Sequence, residues 1–210
     1  MFNRLGWVAF FITMAMYAKA GVATETESKE DLKECIITKK ANEGWFIGPA
    51  IGTQMYVGDS DNIQPLGYRL TTSLEGQIGK WITPAIAMRI RGTAARVTGG
   101  DLSSNRNAMN MVFVHADCMF DLISFIKGVD EKRLVNVVPF IGIGCTSNLD
   151  NKKSCLSPTV GTQVLFRMHK RISLFTELKG TLLNDKMDGS VTGFPWEGSA
   201  VLNAGFLYNF

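Results

Sequence analysis

From Gly44 to the last residue, the chain repeats one pattern: roughly ten residues in which apolar side chains alternate with polar or small ones, then a turn signal. A period of two sends successive side chains to opposite faces of a strand, whereas a helix would repeat at 3.6. In "WFIGPAIGTQMYVG", Trp45, Ile47, Ile51 and Met55 share one face, and Gly48, Ala50, Gly52 and Gln54 the other. "RLTTSLEGQIGKW" sets Leu70, Leu74 and Ile78 against Arg69, Thr71, Ser73, Glu75 and Gln77, and "PAIAMRIRGTA" sets Ile86, Met88 and Ile90 against Arg89, Arg91 and Thr93. The same alternation runs through "MNMVFVHADCMFDL", "LVNVVPFIGIGC", "SPTVGTQVLFRM", "ISLFTELKGTL" and the closing "VLNAGFLYNF". The eight runs predict eight β-strands.

The connections alternate too. They are long and polar after the first, third, fifth and seventh runs ("DSDNIQPLGY", "VTGGDLSSNRN", "TSNLDNKKS", "NDKMDGSVTGFPWEG"), and tight after the second and sixth ("WITP", "HKR"). "SFIKGVDEKR", after the fourth, is intermediate. An even strand count with long loops at one end and short turns at the other predicts an all-β fold, an eight-stranded antiparallel up-and-down barrel. No segment after the first twenty residues is apolar enough for a membrane helix: the best, "LVNVVPFIGIG", is interrupted by Asn136 and Pro139.

The two faces separate two kinds of barrel. A soluble, lipocalin-like carrier is polar outside and apolar within; a transmembrane barrel is the reverse. Here the apolar face is rich in Ile, Leu, Val and Phe, and the other face carries Glu75, Arg89, Arg91, His115, Asp117, Arg167, Glu177 and Lys179. Charges of both signs at mid-strand are expected to pair across a narrow lumen, because an unpaired buried charge is costly. Gly48, Gly52, Gly79, Gly142, Gly144 and Gly161 on the same face would make room for them, since an eight-stranded interior barely holds its side chains. Trp45, Trp81, Phe120, Tyr208 and Phe210 stand at strand ends, where an interfacial girdle is expected. The carrier alternative keeps one local support, "EGW", reminiscent of the lipocalin Gly-x-Trp.

The remaining features concern export. "MFNRLGWVAFFITMAMYAKA" has a basic start at Arg4, an apolar run from Leu5 to Met16 and the small-x-small Ala18-Lys19-Ala20, the pattern of a cleaved signal peptide over residues 1–20. Losing Arg4 and Lys19 takes 22 basic side chains to 20 against 19 acidic ones, a net charge of +1, so nucleic acid is not an expected partner. Residues 21–43 are charged and read as a periplasmic lead-in, and residues 44–210 as the barrel. In an oxidising compartment Cys145 and Cys155, which bracket "TSNLDNKKS", are spaced for a possible disulfide across the hairpin neck; two unbridged thiols are the alternative. "GDSDN" and "NLDN" lack the ligand spacing of a calcium loop, and with no zinc or phosphate-loop pattern elsewhere, no metal or cofactor is expected.

"GWFIGPAIG", "GKWITPAIAMRIRG", "NVVPFIGIG", "LFTELKGTLLNDKMDG" and the final "NAGFLYNF" together resemble the small outer-membrane barrels of Gram-negative bacteria, in particular the eight-stranded membrane domain of the outer-membrane protein A family. The resemblance spans Gly44 to Phe210. It implies location in the outer membrane, lumenal salt bridges that plug or gate a small pore, and an assembly signal formed by Phe206, Tyr208 and Phe210 for the barrel-assembly machinery. The family's peptidoglycan-binding domain has no counterpart in this sequence, so cell-wall tethering is not carried over. A monomer embedded in outer-membrane lipid, non-enzymatic, with envelope-structural or loop-mediated surface contacts to an extracellular partner, is the expected function. The alternative is a membrane-embedded lipid-modifying enzyme, for which the only mid-strand histidine, His115, lies two residues from Asp117 on one face, with no nucleophile motif beside it.

Overall fold

Alternating sequences rich in Ile, Val and Thr favour strands that pleat one set of side chains inward and the other outward, and all eight runs do so. The strands are β1 (Trp45–Val57), β2 (Leu70–Trp81), β3 (Ile86–Gly100), β4 (Arg106–Phe120), β5 (Val135–Asn148), β6 (Lys153–Arg167), β7 (Ile172–Asn184) and β8 (Trp196–Asn209). This computed structural model describes residues 43–57, 70–100, 106–129, 133–150, 152–184 and 196–210. The expected signal peptide, nearly all of the expected lead-in and the "GDSDN" stretch lie outside the described residues.

Each strand pairs antiparallel with the next, and β8 returns to β1, with Phe46 opposite Asn209, so the sheet closes. Closure leaves no strand edge to satisfy. The shortest strand has 12 residues and the longest 15, more than the 9–11 that cross a bilayer at a tilt.

The start of β1, the C-terminal Phe210 and the short turns lie at one end of the barrel. Thr83 makes the β2–β3 turn: its Oγ1 accepts from the N–H of Ile86 at 2.9 Å, and its own N–H donates to the Ile86 carbonyl at 3.1 Å. The β6–β7 turn closes when the N–H groups of Met168 and His169 donate to the Ile172 carbonyl at 3.1 and 3.0 Å. Between β4 and β5 stands a short helix, α1 (Leu122–Lys127), where only a connection was expected. Asp121 caps it, accepting from the N–H groups of Ile123 and Ser124 at 3.1 Å each, and its carboxylate is held by Ser124 Oγ at 2.8 Å and by Asn136 Nδ2.

At the other end, "TSNLDNKKS" is not a long loop. β5 runs on to Asn148 and β6 starts at Lys153, leaving a four-residue turn whose Asp150 accepts from the N–H of Asn110 at 2.7 Å. Strand pairing extends because Ser147 and Ser154, polar enough to look like loop, bond each other across the ladder at 2.8 Å.

Outward-facing Ile51, Leu74, Ile90, Ile141, Val160, Leu178 and Leu202 form an exposed belt around the barrel, with Ile90 59% exposed. A water-soluble protein does not present a continuous apolar belt of this kind; a bilayer requires one. The inward face is packed to the point that its glycines are obligatory. A Cβ on Gly142 would fall on the Asp117 carboxylate and the Ala116 carbonyl, whereas one on the outward Gly92 would meet nothing within 4 Å. Gly142→Val is therefore expected to lower the yield of folded barrel sharply and Gly92→Val to leave it near wild type, read as the fraction running at the folded mobility in unheated gels.

Candidate functional site

The lumen is built in layers. Arg89 and Arg91, two residues apart on β3, point inward beside Asp117 and His115, their register partners on β4. Glu177 and Lys179 project from β7, across the barrel, and Glu75 and Gln77 from β2. Arg89 donates through Nε and Nη2 to Asp117 Oδ2 at 2.9 and 2.7 Å, and through Nη1 to Glu177 Oε2 at 2.6 Å and Gln77 Oε1 at 2.7 Å. Arg91 Nη1 donates to Glu177 Oε1 at 2.8 Å and Nη2 to Thr159 Oγ1 at 3.0 Å, with Nε 3.1 Å from Asp117 Oδ2. Lys179 Nζ pairs with Glu75, which also accepts from Thr93 Oγ1 at 2.8 Å and Asn203 Nδ2 at 3.1 Å.

The electrostatics follow from this list. Three cations, Arg89, Arg91 and Lys179, meet three carboxylates, Glu75, Asp117 and Glu177, and all six are buried. Desolvating an ion costs several kcal/mol, and only close opposite charge with extra hydrogen bonds offsets it. Gln77, Gln163, Thr93, Thr159 and Asn203 supply those bonds. Glu177 is the hub: it binds both arginines, accepts from Gln163 Nε2 at 3.2 Å and lies 3.6 Å from Lys179. Because β3 and β7 are opposite walls of an eight-strand ring, these bridges cross the lumen rather than run along its side.

Apolar clusters lie on either side. Toward the short turns, both guanidinium groups stack over Phe140, at 4.5 and 5.0 Å from the ring centre, and below it pack Phe46, Met119, Val138, Phe175 and Leu207. Toward the other end, His115 Nε2 shares a 3.1 Å hydrogen bond with Ser157 Oγ, and Met111, Phe113, Leu183 and Ala95 cluster beyond. A cavity of about 10 Å³ among Gln54, His115, Lys179 and Thr181 has room for a single water.

The structure brings Glu75, Arg89, Arg91, His115, Asp117, Glu177 and Lys179 into this lumen. Arg167 is the exception: it has the inward parity of β6 but is the strand's last residue, exposed at the rim beyond the apolar layer. His115 bonds Ser157, while Asp117 is committed to the arginines. Trp81, expected in the girdle, turns inward and packs on Phe46 at 6.4 Å, whereas Trp45, Phe120, Tyr208 and Phe210 face out.

The Cys145–Cys155 bridge is also corrected. The register pairs Cys145 with Leu156 and Thr146 with Cys155, so the two cysteines are one residue out of step and point to opposite faces: Cys145 outward, Cys155 toward the lumenal cluster. Both thiols are free.

Comparisons with known proteins agree with this architecture. No protein-family model matches the chain. Outer membrane protein 41 of Porphyromonas gingivalis is 27% identical over 154 residues, covering 69% of this chain and 39% of that protein. Outer membrane protein 40 of the same organism is 29% identical over 120 residues, 57% of this chain and 32% of that one. The chain thus spans well under half the length of these relatives. The crystal structure of Neisserial surface protein A superposes with a TM-score of 0.56 at 11% identity, over 80% of this chain and 97% of the other. The fold is that of a small transmembrane barrel. With its apolar belt and these relatives, the chain forms an integral outer-membrane β-barrel.

Proposed function

We propose that the barrel is a non-enzymatic, closed-lumen element of the envelope that acts as a membrane-anchored scaffold and presents the segments at its long-loop end for surface contacts. The observation that carries this reading is the ionic layer spanning the lumen from β3 to β7, with a buried apolar cluster on either side. Ser157 and His115 could be read as the start of a hydrolytic site, but they are 0% and 3% exposed, and Asp117, two residues from His115 on β4, is held by Arg89 and Arg91. A closed sheet without a free edge supports a monomer. Phe206, Tyr208 and Phe210, exposed along β8 with the last two rings edge to face at 5.2 Å, offer the aromatic stripe that the barrel-assembly machinery would read.

The full chain, refolded and inserted into a planar bilayer, is expected to show no sustained conductance of porin size. Brief, rare openings are compatible with Glu177 exchanging its arginine partners for Lys179. A large steady current would overturn the closed-lumen reading.

A further inference from the structure

We propose that the short-turn rim between α1 and the β6–β7 turn binds the headgroups of anionic phospholipids in the leaflet it meets. The proposal is independent of whether the lumen conducts.

The rim is one continuous surface. Arg133 Nη2 donates to the Gly128 carbonyl at 3.2 Å, which ties the end of α1 to the start of β5. The Leu134 carbonyl accepts from the Arg167 N–H at 2.8 Å, which sets β5 beside the end of β6. The Arg171 carbonyl then accepts from the Asn209 N–H at 2.8 Å, carrying the surface on to β8. Lys127, Lys170 and Arg171 are exposed along this path and Arg133 is half-buried. Between them stand Phe125, Ile126, Leu134 and Met168, all strongly exposed, with Leu134 at 69%.

Among the described residues, carboxylates do not balance these cations. Asp121 is buried and spent on capping α1, and Glu43 is exposed at the start of β1. Asp130, Glu131 and Lys132 lie outside the described residues.

The mixture of groups selects the occupant. Exposed aromatic and aliphatic side chains at a barrel rim belong at the acyl–headgroup boundary, where neighbouring Lys and Arg side chains reach phosphate. A water-soluble acidic partner would satisfy the cations and leave Phe125, Ile126 and Met168 without an apolar neighbour. A phospholipid satisfies both, and negative headgroup charge strengthens the contact.

The test uses the full chain refolded into phosphatidylcholine vesicles, with spin-labelled phosphatidylglycerol compared against spin-labelled phosphatidylcholine in the motionally restricted lipid shell. Wild type is expected to prefer phosphatidylglycerol by about three-fold or more at low salt, with the preference falling as salt screens it. In the variant Lys127→Gln, Arg133→Gln, Lys170→Gln, Arg171→Gln, the preference is expected to approach one. Lys152→Gln with Lys153→Gln, at the opposite end, should keep it. Equal association in wild type, an unchanged preference in the four-site variant, or an equal loss in the control would overturn the proposal. Should the four-site variant not reach the folded mobility, Lys170→Gln with Arg171→Gln decides the matter: it must lower the preference measurably, and an unchanged value overturns the proposal.

Discussion

Glu177→Ala is expected to destabilise the folded barrel by about 3–5 kcal/mol, the cost of breaking a buried ion pair from one side. Glu177 neutralises charge for Arg89 at 2.6 Å and Arg91 at 2.8 Å, and both guanidinium groups sit in a lumen with essentially no exposure. Without it, three cations face two carboxylates in a space too small to hydrate them. The measurement is reversible urea unfolding in vesicles, followed by the shift between folded and unfolded bands. Balance rather than contact number is the cause, so adding Arg91→Met to Glu177→Ala should recover part of the loss. That double variant leaves Arg89 and Lys179 against Asp117 and Glu75, which already pair. If it were less stable than the single variant, the damage would lie in packing around Phe140 instead.

The same residues show how far a sequence alone carries. Parity along a strand is absolute, so placing Glu75, Arg89, Arg91, Asp117, Glu177 and Lys179 on the inward face required only counting by two. Parity says nothing of height, which is why it groups Arg167 with them: its side is right, but the strand ends there. Nor does parity reveal register between strands. A one-residue offset in the β5–β6 hairpin is invisible in the spacing of Cys145 and Cys155, yet it sends their side chains to opposite faces. Helix α1 did leave a signal. Asp121 before an apolar run, Lys127 in the last turn and Gly128 after it are start and stop marks, hidden by a hydrophobic face too short to show a helical period. The uncharged members of the network, Gln77, Gln163, Thr159 and Asn203, were legible as inward residues. Their partners were not, because a cross-lumen contact depends on how eight strands are staggered around the ring.

On the other face the expected effect comes from the bilayer rather than from a partner. Ile90 lies between Arg89 and Arg91 on β3 but points outward, 59% exposed, midway along the lipid-facing belt. Ile90→Arg is expected to cost about 2–4 kcal/mol in a bilayer, the penalty for a guanidinium near the midplane. The neighbouring arginines show that β3 tolerates the residue type itself; only the face differs. Toward the rim a new arginine can extend to the headgroups, so Phe120→Arg is expected to cost about 0–1 kcal/mol. Urea titration of the two variants in vesicles of one thickness compares them directly. Equal costs would mean that Ile90 is not at the centre of the membrane. A negligible cost at Ile90, with the barrel still folded and inserted, would mean that this part of the belt faces something other than lipid.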